Sequence, residues 1–229
     1  SCIIGCSATV SGARKDVKRM GMFLFIVLLI ALWQGVYWFG VEVFAVFKSY
    51  SVPSPMGVGE CFIRLVSDGS LLQAAGYSLL RGIAGYVAAV LIGTLLGLLM
   101  NHFTYLQKNL KPVVLGIQTL PSVCWVPFSI LWFGLSTEAI LFVVVMGAAF
   151  SIAISVDNAI RNVPSIYKKA ALTMGAQKQQ MYRYVIFPAC LPELISGLKQ
   201  GWSLAWRALM AGEVMTTSLG LGQTLIMGR

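Results

Sequence analysis

The chain has 229 residues, 58% of them hydrophobic and only 11% charged, with a mean hydropathy of +0.80. A soluble domain is about 25% charged, so this composition excludes an ordinary soluble fold and points to lipid as the solvent. The net charge of +9 collects at the edges of apolar runs, as in a membrane protein oriented by its loops, and not on the basic face that nucleic-acid binding requires.

Residues 1–20 form a basic segment. Its IIGC at 3–6 looks like a lipoprotein cleavage box but lacks the charged and apolar stretches that belong upstream, so it is read as chance. Residues 1–13 are expected to be poorly ordered. A spanning helix needs about 20 mainly apolar residues. The first candidate is 21–41, with Trp33, Tyr37 and Trp38 as interface anchors. The loop signal SVPSP (51–55) and a short amphipathic run, GVGECFIRLVSD, follow. Further spans are expected at about 78–101, 110–134, 139–156 and 194–216, with the polar segment 157–193 between the last two.

Lysine and arginine in the short loops orient the chain. Arg14, Lys15, Lys18 and Arg19 precede the first span, Lys108 and Lys111 lie between the second and third, and 157–193 holds Arg161, Lys168, Lys169, Lys178 and Arg183. Opposite them, 42–77 has only Lys48 and Arg64 against Glu42, Glu60 and Asp68, and 135–138 has Glu138 and no cation. The N-terminus and the 157–193 segment are therefore expected in the cytoplasm. Five spans then leave residue 229 outside, and a sixth span is expected beyond it.

Cysteines at 2, 6, 61, 124 and 190 have no metal-ligand spacing, and His102 alone cannot complete a zinc site with them. In the second span Gly85, Ala89, Gly93 and Gly97 recur every four residues, a smooth ridge that admits close helix approach within one subunit or between two. In the third span Pro121 and Pro127 each remove a backbone donor, so a broken helix is expected. In the fifth, Ser196, Gln200, Ser203 and Arg207 share one helix face, while Lys199, Trp206 and Glu213 fall on another. Charges at this depth face protein or water. Arg207 either serves an anionic solute, which a guanidinium fits well, or pairs with a carboxylate such as Glu213.

The polar segment has its own pattern. Pro164 suits a helix start, SIYKKAALTM reads as a short helix, Gly175 as its left-handed C-cap, and QKQQMYRYVIF as a second helix ended by Pro188. Exposed Met174, Met181, Tyr182 and Tyr184 on a basic background suggest a protein partner.

At these residues the chain resembles the permease subunits of bacterial ABC importers, whose cytoplasmic motif runs E-A-A, three residues, G, nine residues, I-x-L-P. Lys169, Ala170, Ala171, Gly175, Val185, Phe187 and Pro188 fall in that register. Lys169 replaces Glu, Val185 replaces Ile and Phe187 replaces Leu. The resemblance implies that these residues couple the membrane part to a cytoplasmic ATPase. PSVCWVPFSILWFGLSTEAILFVVVMGAAF (121–150), SLLRGIAGY (78–86) and SGLKQGWSLAWRALMAGEVM (196–215) extend the likeness over about 50–229. They look like the branch that serves nitrate, bicarbonate, taurine, aliphatic sulfonates and some thiamine precursors.

An all-α polytopic membrane protein is therefore expected, and the resemblance implies the type I ABC importer transmembrane fold. Residues 1–20 would be a cytoplasmic segment and 21–229 a single permease domain with its coupling loop at 157–193. The partners implied are a second permease copy, two ATPase subunits that carry ATP and Mg, and an extracytoplasmic solute-binding protein, in a bacterial inner membrane. The path residues expected are Ser196, Gln200, Ser203, Arg207 and Glu213, taking a small anionic solute. No cofactor, metal site or catalytic residue is expected in this chain, which has no G-x-x-x-x-G-K-[ST] phosphate loop. An ion-coupled transporter or channel acting alone is the alternative, with Glu213 its only intramembrane acid. A membrane-embedded enzyme ranks last, because His102 has no evident catalytic partner.

Overall fold

A computed structural model of the chain describes residues 3–38, 54–216 and 218–227, with side chains for 20–38, 54–177, 179–216 and 218–226. The features expected at 39–53, including Glu42, Lys48 and most of SVPSP, lie outside the described residues, as do the side chains of Arg14, Lys15, Lys18, Arg19 and Lys178. The chain divides into two compact units, residues 1–70 and 71–229.

The first unit contains helix α1 (Ile3–Tyr37) and helix α2 (Pro55–Ser67). Residues 3–13 form the start of α1, and no proline occurs before position 53 to stop it. Ser54 caps α2 by accepting from the Gly57 amide at 3.1 Å, and Pro55 at the first helical position suits that start.

The second unit is built around helix α6 (Thr137–Arg161), which Ser136 caps through the Ala139 amide. Helix α3 (Ser70–His102) and helix α9 (Phe187–Thr216) pack against it. Lipid offers no hydrophobic drive for helix association, so close packing of small residues must supply it. The ridge of α3 does this within one chain. A side chain added at Gly93 would lie 2.5 Å from the Ala149 carbonyl oxygen, and one at Gly97 would lie 2.7 Å from that of Ala153. Helix α9 presents a second small-residue row: Gly197 abuts Ser155 and Gly201 abuts Ile152.

The third expected span is broken, as its prolines imply. Helix α4 (Thr104–Thr119) and helix α5 (Trp125–Phe133), joined through a 3₁₀ turn at Ser122–Cys124, are bent by 91°. Leu120 is extended (φ −68°, ψ 130°), the conformation favoured before a proline, here Pro121. Pro127 breaks nothing: it lies in the first turn of α5, where the amide has no intrahelical partner.

By length and apolarity, α3, α6 and the Met20–Tyr37 part of α1 can each cross a membrane, and the bent α4–α5 pair makes a fourth span if counted as one. Helix α9, the expected fifth span, is 30 residues long, about 45 Å, but is not among the helices apolar enough to qualify.

A buried acid ties the α4 and α6 helices together at one end. Asp157 is fully buried and accepts from Lys111 Nζ and Arg161 Nε, both at 2.7 Å. Lys111 also donates to Asn158 Oδ1 at 3.0 Å. Removing one partner of a buried ion pair strands the others. Asp157→Asn should therefore lower unfolding stability in detergent by about 3 kcal/mol. Arg161→Gln, at a group about a third exposed, should cost under about 1 kcal/mol. Equal melting of Asp157→Asn and wild type would contradict the bracing role.

Candidate functional site

The 157–193 segment begins where α6 ends. Pro164, φ −55° and ψ 132°, starts helix α7 (Ser165–Thr173). The helix closes on Gly175, whose φ is +77°. The Ala176 amide donates to the Ala171 carbonyl at 3.0 Å and the Gly175 amide to that of Leu172 at 3.0 Å. This paired closure needs a left-handed residue after the C-cap, and glycine takes that conformation without steric cost.

The second helix of the segment differs from expectation. Helix α8 (Lys178–Gln180) opens into a π-helical turn, Met181–Ile186, and the chain then runs into α9 without a stop at Pro188. The Phe187 amide donates to the carbonyl of Tyr182, five residues back. The wider turn shifts the hydrogen-bond register so that Pro188, which has no N–H, passes inside a continuous helix. Asn162 donates to Glu193 Oε1 at 2.8 Å and ties the end of α6 to the start of α9.

Between α7 and the π turn lies a groove of about 730 Å³, lined by Tyr167, Ala170, Ala171, Met174, Gly175, Tyr184, Val185 and Pro188 among others. Five of the seven residues singled out from the sequence meet there: Ala170, Ala171, Gly175, Val185 and Pro188. Lys169 and Phe187 are exposed and do not line it. Phe187 instead borders an apolar hollow of about 810 Å³, with Ile186, Tyr182 and Leu98. Met174 is 87% exposed and Tyr184 is 70% exposed, so the groove carries large apolar side chains that nothing within the described residues covers. Among the described residues no cluster of His, Cys, Asp and Glu could hold a metal ion.

The polar stripe of α9 faces away from α6. Ser196, Gln200, Ser203 and Arg207 are all exposed, while Gly197, Gly201, Ala205 and Ala208 on the packing side are buried. Arg207 makes no ion pair or hydrogen bond among the described residues. It lines a cavity of about 380 Å³ at the α4–α5 break.

Glu213 is not its partner, so the expected alternative of an Arg207–Glu213 pair is corrected. Glu213 is fully buried. It accepts from the Ser78 hydroxyl at 2.7 Å and from the Gly222 amide at 3.1 Å, with Arg81 Nη1 3.6 Å away. Arg81 itself donates to the Leu219 carbonyl at 2.8 Å. The chain before helix α10 (Leu221–Met227) thus folds over Glu213. It can approach because residues 220 and 222 are glycines: a side-chain carbon at either would come within 2.6 Å of Glu213 atoms. Glu213 therefore sits apart from the stripe, Trp206 is half-buried and Lys199 is exposed.

Two features escaped the sequence reading. By position Arg161 and Lys111 count as loop charges, yet both hold Asp157; the four-residue spacing of Asp157 and Arg161 is the available signal. Ser78 and Arg81, 135 and 132 positions before Glu213, left no local signal.

The binding-protein-dependent transport system inner membrane components match residues 89–229 of this chain. The chain is 30% identical to the riboflavin transport system permease protein of Chloroflexus aurantiacus, over 94% of this chain and 79% of the relative. It is 26% identical to the taurine transport system permease protein of Escherichia coli, over 81% and 69%. It is 30% identical to the nitrate import permease protein of Leptolyngbya laminosa, over 68% and 56%. The chain thus spans between 56% and 79% of the length of these relatives. The match over residues 89–229 takes in the groove, the broken helix and the polar stripe alike, and the chain belongs to the binding-protein-dependent transport system inner membrane components, the permease subunits of ABC importers.

Proposed function

We propose that this chain forms the translocation path of an ATP-driven importer for a small anionic solute, and that the groove between α7 and the π turn receives the ATPase. The observation that carries the reading is the meeting of Ala170, Ala171, Gly175, Val185 and Pro188 in one groove rimmed by exposed Met174 and Tyr184. Uncovered apolar rims of this kind mark protein interfaces. Two copies of the chain, two ATPase subunits carrying ATP and Mg, and an extracytoplasmic binding protein complete the transporter in this reading. Motion reaches the membrane through α9, because the π turn makes the groove wall and the polar stripe parts of one continuous helical stretch.

The anionic preference rests on Arg207, exposed on the stripe and unpaired, and agrees with the taurine and nitrate named for two relatives. The ion-coupled alternative would need a titratable acid within the membrane. Glu213 is instead enclosed and held by Ser78, Arg81 and a backbone amide. Lys169, Lys168 and Arg183 place positive charge around the groove, in keeping with a cytoplasmic position for it and for the N-terminus.

Gly175→Val forces a β-branched residue to φ +77°, a costly conformation. The variant should insert and fold, but retain little ATPase on co-purification and lose uptake. Normal uptake would sink the coupling assignment. Cysteine labelling from outside should reach a probe at Leu135 and miss one at Gln177; the reverse pattern would overturn the orientation and the docking with it.

A further inference from the structure

The hollow beside the π turn is walled by the last turns of α3, the end of α6 and the start of α9, and measures about 810 Å³. That volume lies in the range of ligand sites. The π turn parts it from the groove: Tyr184 and Val185 line the groove, while Tyr182, Arg183 and Ile186 line the hollow. Phe187, which falls in the motif register but outside the groove, borders the hollow too.

Its lining changes character with depth. Residues 82–100 of α3 carry no charged side chain and rise about 28 Å as a helix, close to the hydrocarbon thickness of a bilayer. Leu95 and Leu98 on the wall therefore stand at acyl-chain depth, and Asn101 and His102 at the headgroup level that ends it. Leu91, Leu95 and Leu98 are exposed at helical spacing, so the hollow opens onto an apolar stripe. At the other end Asn101, His102, Gln179 and Arg183 bring hydrogen-bond donors. Among the described residues no carboxylate lines the hollow. Arg183 is exposed and lies over the Tyr184 ring, 6.0 Å from its centre. It makes no ion pair or hydrogen bond among the described residues.

We infer that the hollow binds an anionic phospholipid of the leaflet on the groove side, with an acyl chain against Leu98, Tyr182 and Phe187 and the phosphate at Arg183. An apolar wall at chain depth, ended by an unpaired guanidinium and neutral donors at headgroup depth, is complementary to that molecule along its length. The guanidinium fork takes two phosphate oxygens, and basic pockets between membrane helices favour anionic headgroups. A zwitterionic lipid brings the same chain and phosphate but adds a cation, for which the rim has no carboxylate. The site depends on neither the solute nor the ATPase.

The test uses phosphatidylglycerol and phosphatidylcholine with identical acyl chains, each carrying a diazirine on the chain. Each is added as a minor component to phosphatidylcholine nanodiscs that hold the permease, and adducts are mapped by peptide mass. Phosphatidylglycerol should label 94–102 and 182–194 about fivefold more than phosphatidylcholine does, with no such excess over the other spans. Arg183→Lys should keep most of the excess, and Arg183→Gln should bring the ratio close to one. Leu98→Trp fills the hollow and should lower labelling of these segments by both lipids; it decides the matter if Arg183→Gln does not insert. Equal labelling by the two lipids in wild type, an excess that survives Arg183→Gln, or labelling unchanged by Leu98→Trp would overturn the site. So would a permease–permease adduct from a photo-activated residue at position 98 with no lipid adduct there, because a second copy would then cover the hollow.

Discussion

Backbone-close packing on α6 is the constraint on which the rest of the second unit depends. The α3 helix meets α6 at Gly93 and Gly97, and α9 meets it at Gly197 and Gly201, at separations no larger residue could keep. In water such contacts would add to a hydrophobic core. In lipid they are the main source of cohesion between apolar helices. Because the small residues of α9 take the α6 side, its polar residues are turned outward at 196, 200, 203 and 207. The packing face and the polar stripe are thus two sides of one helical periodicity.

In the proposed reading the same helix carries force. A stop at Pro188 would have separated the cytoplasmic groove from the membrane segment. The π turn at Met181–Ile186 absorbs the missing proline donor and keeps the chain helical through to Thr216. Such insertions are rare and concentrate at functional sites. On the opposite side of the segment, Asp157 clamps Lys111 and Arg161, bracing the base of α6 against α4. One wall of the groove is continuous with the stripe, while the frame beside it is braced.

Much of this was legible because it is local. The apolar runs marked α1, α3 and α6, the four-residue ridge marked a packing face, and Gly175 marked a left-handed turn that has φ +77°. The break at Pro121 follows from the restriction a proline puts on its predecessor. What local pattern could not reveal was the fate of Pro188, since a proline reads as a helix end unless the register shifts ahead of it. Nor could it reveal Glu213. Its partners, Ser78 and Arg81, lie far away in sequence; that Glu213 and Arg207 fall on different faces of one helix, by contrast, follows from their spacing.

The central claim is that the groove between α7 and the π turn receives the ATPase. The most direct measurement places a photo-activated crosslinking residue at Met174, on the groove rim, in membranes of cells that make the whole transporter. A second chain carries it at Leu131, an exposed apolar position on α5. The account predicts an adduct with the ATPase subunit from position 174 and none from position 131. An ATPase adduct from 131, or none from 174 in a transporter that still hydrolyses ATP, would contradict it.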